Sequence, residues 1–226
     1  MSELTPPEPT LAWTDLAGVR PGQLARERAD EEWDARKIAY PVRAVLGRLL
    51  NVHTDERAWR IGADGEEAVG AQLEKLARKD PRWHVLHSVP VGERGSDIDH
   101  VVIGPAGVFT INAKHHPGAK VWIGGDTLMV NGQRQPYIRN SRFEAKRAAK
   151  LLTEAVGFEV RVDALIILFG VQGITIKTEP GEKDGSTVHT MHRRQAVRWL
   201  GKQPARLPDE QVEVIYEQAR RSTTWS

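Results

Sequence analysis

The stretch Arg94-Gly-Ser-Asp97-Ile-Asp99-His-Val-Val-Ile-Gly104-Pro-Ala-Gly107-Val-Phe-Thr-Ile-Asn112-Ala-Lys114-His-His116 sets acidic and basic side chains at the outer ends of two apolar runs. On extended backbone alternate residues share a face, so Asp97 pairs with Asp99 and Asn112 with Lys114. Gly104-Pro105-Ala106-Gly107 is a turn signal that folds the runs into an antiparallel hairpin. The fold-back predicts Asp99 level with Asn112 and Lys114. A carboxylate, a second oxygen donor and a lysine meeting at one spot suit divalent-cation-assisted attack on a phosphodiester. The oxygens would hold the ion, and the lysine would orient water and offset charge.

This run, together with Gly62-Ala-Asp-Gly-Glu66-Glu67-Ala-Val-Gly70, resembles the nuclease-related domain, NERD, a branch of the PD-(D/E)XK nuclease superfamily, over roughly Ala58 to Gly170. The resemblance implies an α/β, restriction-endonuclease-like core, a mixed four-stranded sheet flanked by helices. It implies acidic residues that bind a divalent metal for nucleic-acid cleavage. Glu66 matches the acid of the first helix, Asp99 the hairpin aspartate, and Lys114 the lysine of the acid-x-lysine motif. One position departs, because Asn112 stands where the superfamily pattern has Glu or Asp. A neutral amide oxygen can ligate a hard cation but brings no negative charge. Glu66, Glu67 or Asp97 could supply the missing carboxylate, or Glu144 of the following helix could reach in. Asp97 reads equally as a solvated turn or capping residue.

The expected metal set is Asp99 and Glu66 with the amide of Asn112 or the carbonyl of Ala113, and the expected cofactor is Mg²⁺ or Mn²⁺. Lys114 completes the catalytic group of Glu66, Asp99, Asn112 and Lys114. From Arg134 to Lys150 the bases Arg134, Arg139, Arg142, Lys146, Arg147 and Lys150 face the lone acid Glu144, as a phosphate-gripping surface would. Exposed helices also carry such charges routinely. Tyr137 and Phe143 could stack on bases, but with aromatic content of 6% they read first as packing, and the sequence supports no preference for single strands.

The 226 residues, 40% hydrophobic and 27% charged, can bury one substantial core. The net charge of +2 decides nothing alone. No cysteine is present, so disulfides and zinc ribbons are excluded. The apolar run Ala164 to Val171 is too short to span a bilayer, and the opening residues lack a basic-then-apolar signal; the expected compartment is cytoplasmic. Neither a P-loop nor a G-x-S-x-G element occurs. His189-x-x-His192 and His115-His116 have no companion cysteine, and neighbours on a strand point to opposite faces, which argues against zinc. His100 reads as packing behind the hairpin, His84 and His87 as structural, and His115 or His116 as a phosphate contact or proton shuttle.

The chain divides into a mobile leader over 1–20, with Trp13 and Leu16 pinned to the body, an N-terminal helical extension over 21–57, a core over 58–170 and a C-terminal extension over 171–226 with two helices. Within 21–51 a helical pair broken near Pro41 carries Leu24, Trp33, Ile38, Val42, Val45, Leu46 and Leu49 at helical spacing. Thr54 to Lys79 reads as the first core helix, with Trp59, Ile61, Val69, Leu73 and Leu76 inward. Gly62 and Gly65 mark either a close approach or a break there. Strands follow at Trp83 to Val89, in the hairpin, at Lys120 to Ile123 and at Thr127 to Val130. Asn140 to Val156 is a helix with Phe143, Ala148, Leu151, Leu152 and Val156 on its buried side, and Val160 to Phe169 is a buried strand. Met191 to Leu200 and Pro208 to Arg221 read as closing helices. The whole predicts a metal-dependent nuclease acting on DNA ahead of RNA, without membrane association. The competing reading is an inactive nuclease-fold module that binds nucleic acid or a protein partner. A third is a scaffold in which Asp99 and Lys114 merely form a salt bridge.

Overall fold

The computed structural model describes residues 12–23, 25–27, 30–31, 55–91 and 96–226. Most of the expected N-terminal helical pair, including Leu24, Trp33, Ile38, Val42, Val45, Leu46 and Leu49, lies outside the described residues. Trp13 is exposed but sits beneath the Arg221 guanidinium, 5.5 Å from its ring centre, and Leu16 is buried.

Helix α1 runs Asp55–Lys79 without interruption through Gly62 and Gly65. Close approach explains Gly65, since a Cβ there would stand 2.7 Å from Phe169 Cε1. Val69, Leu73 and Leu76 recur at helical spacing and are buried. Three strands follow: β1 (His84–Val91), β2 (Ser96–Gly104) and β3 (Gly107–His115). β2 and β3 pair antiparallel from His100↔Ile111 to Gly104↔Gly107. Gly107 adopts φ 124°, a conformation open to glycine at little cost, which explains the tightness of the turn.

Strands β4 (Lys120–Gly124), β5 (Thr127–Val130) and β6 (Gln133–Gln135) lead into α2 (Tyr137–Val156), which ends on Gly157 in the left-handed region. β7 (Val162–Phe169) is buried at every position and pairs parallel with β3, as its unbroken apolar run requires. Burying each Leu or Ile of this strand stabilises the fold by about 1.5–3 kcal/mol.

The chain beyond Phe169 holds more strand than its sequence suggests: β8 (Gly173–Thr178), β9 (Glu182–Lys183) and β10 (Ser186–His192) precede helices α3 (Arg193–Leu200) and α4 (Asp209–Ala219). Met191 and His192, expected to open a helix, instead end β10, and the His192 side chain caps α3 by accepting from Arg194 N–H.

The architecture is α/β with a mixed sheet flanked by helices, as expected. The main sheet has six strands rather than four, in the order β1-β2-β3-β7-β10-β9, and a second sheet is ordered β6-β5-β4-β8. The two extra strands of the main sheet come from β10, which adds parallel to β7, and the short β9. α1 and α3 cover one face over Phe109, Ile111, Leu165 and Ile167, and α2 and α4 cover the other over Val108, Ala164, Ile166 and Leu168.

Two residues of α2 lie opposite to expectation. Phe143, expected inside, is 66% exposed, and Arg142, expected at the surface, is 8% exposed. The inward stripe is Ile138, Ser141, Arg142, Ala145, Ala148 and Leu152. Its small residues let the helix approach the sheet, and Phe143 sits one step outside it.

Candidate active site

Side chains on β3 alternate between the faces. Val108 belongs to the core beneath α2 and Phe109 and Ile111 to the core beneath α1, so Asn112 and Lys114 continue the α2 face while His115 takes the other. Val101 and Ile103 of β2 also pack beneath α2, which puts Asp99 on the side of Asn112 and Lys114. The hairpin thus brings together the residues that their spacing in sequence selected.

The ladder of β2 and β3 ends at His100↔Ile111, just short of the site. Beyond it, the carboxylate of Asp99 accepts from the Ala113 N–H at 2.7 Å. Asp99 is 9% exposed and Asn112 is 5% exposed. Lys114 Nζ donates to Asn112 Oδ1 at 3.2 Å and lies 5.5 Å above the Tyr137 ring. The Asn112 amide N–H donates in turn to a carboxylate oxygen of Glu144 on α2. Asn112 therefore stands between a lysine and an acid brought from 32 residues along the chain.

The electrostatics are those of crowded carboxylates. Burial raises the Asp99 carboxyl above its ordinary range, with Lys114 and the Ala113 N–H working against that and Asp97 adding to it. Burial likewise raises Glu144, opposed by the Asn112 hydrogen bond and reinforced by Asp99. Asp97, half-buried, adds to both through its own charge. Desolvated acids that ionise against a neighbouring carboxylate's charge gain most from a nearby cation.

That donor set is all oxygen, which fits a hard divalent ion. Mg²⁺ is commonly held by one or two carboxylates while keeping waters and substrate phosphate oxygens. Among the described residues no group of three or more His, Asp or Glu side chains is arranged to hold a metal ion.

The other residues singled out in the sequence fall into distinct places. Glu66 is 8% exposed on α1, the helix that covers the opposite face of the sheet, and its backbone neighbours the His100 ring. Glu67 is ion-paired to Arg26, which also binds Asp64 at 3.0 Å, so this acid anchors the turn preceding the core. The Arg26 guanidinium holds Glu67 below the usual carboxylate range. His115 stacks on Phe169 with centroids 4.0 Å apart, away from Lys114. His116 hydrogen-bonds the Tyr137 hydroxyl at 3.0 Å, and burial, followed by the Lys114 charge, keeps it less basic than ordinary imidazole. His87 and His100 form a buried pair with 2.9 Å between their Nδ1 atoms.

The basic residues of α2 divide similarly. Arg142 is buried and donates to Asp126 of the β4–β5 turn and to the Gly181 carbonyl at 3.0 and 2.9 Å, which removes it from any phosphate-binding surface. Lys146 lies 3.8 Å from Asp184 and Lys150 3.7 Å from Glu154, both well exposed. Arg139 and Arg147 border the same cavity as Asp97 and Glu144.

Fold and hairpin together define a nuclease-like α/β protein. Residues 61–169 match the family model of the nuclease-related domain, NERD. An uncharacterized protein of Bacillus anthracis is 32% identical over 103 residues, a stretch that covers 44% of each chain. The chain thus spans less than half the length of that relative. No solved structure matches the chain significantly. No helix among the described residues is long and apolar enough to cross a membrane.

Proposed function

We propose that this protein is a Mg²⁺- or Mn²⁺-dependent nuclease that hydrolyses phosphodiester bonds, with DNA as its substrate ahead of RNA. The observation that carries the reading is the hydrogen-bonded run Lys114–Asn112–Glu144 beside the buried carboxylate of Asp99. Glu144 supplies the negative charge that Asn112 lacks, and Asn112 serves as the neutral link that orients both Glu144 and Lys114. Asp99 and Glu144 would hold the cation, joined by the Ala113 carbonyl. Glu66 would be a further acid, although α1 places it on the opposite face of the sheet from Asp99 and Glu144. A bound Mg²⁺ or Mn²⁺ would supply Lewis-acid stabilisation of the phosphate and a more acidic water.

Lys114 has the position for two tasks. Its ammonium, tethered by Asn112 Oδ1, can orient a water lone pair toward phosphorus and offset charge that grows on the phosphate oxygens. Arg139 and Arg147 would grip the backbone beside the site, and Lys146 and Lys150 would add diffuse attraction along the helix.

The test is nicking of supercoiled plasmid and cutting of linear single- and double-stranded DNA and RNA with Mg²⁺, Mn²⁺ or EDTA, alongside purified, folded Asp99→Ala and Lys114→Ala. Cleavage that needs metal and vanishes in both variants supports the proposal. Retained cleavage in both overturns the assignment. No cutting by the wild type with any metal, while DNA binding persists, assigns a binding module built on the nuclease fold.

A further inference from the structure

Beside the acid cluster the protein has a cavity of about 340 Å³ between β2 and α2. Its apolar floor is Val91 and Ile98, both at most 5% exposed. Asp97 and Glu144 border it, so it opens onto the candidate catalytic residues. Its α2 wall is Phe143, flanked by Arg139 one turn before and Arg147 one turn after.

Phe143 is the feature that needs explanation. At 66% exposure it is the most exposed of the large hydrophobic side chains in the described residues, on a helix whose buried stripe passes it by. Leaving a phenyl ring in water forgoes the gain from its burial. Two guanidinium groups on either side of an exposed aromatic ring, over an apolar floor, match the two needs of an unstacked nucleotide: a π-face for the base and cations for the flanking phosphates. A base inside a duplex has both faces covered and cannot use such a ring.

We propose that this cavity is a subsite for one unpaired base next to the scissile phosphate, with Phe143 stacking on the base and Arg139 and Arg147 holding the phosphates on either side. The inference rests on the nuclease reading for the phrase "scissile phosphate" but not for binding. It makes single-stranded or locally unpaired nucleic acid the substrate class, and it makes Phe143 a specificity residue rather than a catalytic one.

The test separates the two readings by measuring binding without metal. Fluorescence anisotropy is read with oligothymidylate, oligodeoxyuridylate, oligouridylate and a duplex of equal length, using wild type, Phe143→Ala and Phe143→Trp. A further set of oligothymidylates carries one abasic residue scanned along the strand. Single strands are expected to bind wild type more tightly than duplex, Phe143→Ala to weaken single-strand binding about tenfold with duplex binding unchanged, and Phe143→Trp to restore it. One abasic position should cost wild type a similar factor and cost Phe143→Ala nothing. Oligodeoxyuridylate set against oligouridylate, which differ only in the sugar, decides which sugar is preferred.

Equal binding of single strand and duplex by wild type, or a Phe143→Ala variant as sensitive to the abasic scan as wild type, overturns the subsite. The nuclease reading would survive that result if plasmid is still cut. The base-dependent binding pattern without cleavage by any metal would leave the subsite standing and remove the enzyme.

Discussion

The Asn112 amide N–H donates to the carboxylate of Glu144, which joins the third strand of the sheet to the helix that follows it. A position that calls for an acid thus holds a neutral bridge, and the acid arrives from another element. Exchange of the two chemistries should be tolerated better than loss of either. Glu144→Gln is expected to lower metal-dependent cleavage by about 100-fold or more. Adding Asn112→Asp to that variant should recover part of the loss, because a carboxylate returns to the same cluster. Steady-state cleavage rates check both, and full activity in Glu144→Gln would remove this residue from the site.

Arg142 and Arg147 should separate cleanly although both are basic residues of one helix. Arg142→Ala leaves Asp126 and the Gly181 carbonyl without their donor and empties a buried position. A loss of about 1–3 kcal/mol is expected in urea unfolding, toward the lower end because Asp126 is half-exposed. Arg147→Ala should leave the unfolding midpoint in place, weaken DNA binding, and reduce the dependence of log affinity on log salt by about one unit. Swapped outcomes would mean that α2 presents the other face to nucleic acid.

Much of this was legible in the sequence. Strict alternation along Asp97, Asp99, Asn112 and Lys114 fixed a shared face, and the Gly104–Gly107 turn fixed the register, so the core of the site needed no tertiary information. β7 was equally readable as an unbroken apolar run. The misreading of Phe143 and Arg142 has a physical source. Hydrophobic periodicity weights large residues, whereas the inner stripe of α2 is set by Ser141, Ala145 and Ala148, whose small size allows the helix to lie close to the sheet. β8 escaped notice because Gly173–Thr178 is largely exposed, and β10 because Ser186–His192 is rich in Thr and His. Their strand character comes from pairing with β4 and β7, partners far away in sequence. Glu67, in sequence a candidate for the missing carboxylate, is instead held by Arg26.

The buried His87–His100 pair gives the fold an acid-sensitive point. Burial holds both rings below the ordinary imidazole value of about 6.5, His100 furthest, while Glu74 at 3.7 Å partly offsets this for His87. In the unfolded chain both rings take up protons near that value, and in the fold they resist. Their stabilising contribution is complete above about pH 6.5 and falls as pH drops below it, at up to about 1.4 kcal/mol per pH unit for each ring, until the lowered values are reached. Thermal melts should show a lower Tm at about pH 5 than at about pH 7.5, with a shallower slope in His87→Gln. An unchanged slope in that variant would place the acid sensitivity elsewhere.

Gly65→Ala tests whether α1 must lie this close to the ends of β3 and β7. The added methyl would stand 2.7 Å from Phe169 Cε1 and 3.0 Å from its Cζ, well inside contact distance. Phe169 cannot simply swing aside, because its ring is stacked on His115 at 4.0 Å. Alanine is the better helix former by about 1 kcal/mol, so local propensity alone predicts stabilisation. Overpacking in a tight contact costs about 1–3 kcal/mol, which outweighs it. A net loss of stability is expected, and since Glu66 is the next residue, activity should fall further than stability if that acid serves the site. Chemical denaturation read beside cleavage rates distinguishes these effects. A Gly65→Ala protein as stable and active as wild type would show that neither the spacing of α1 nor the placement of Glu66 depends on this contact.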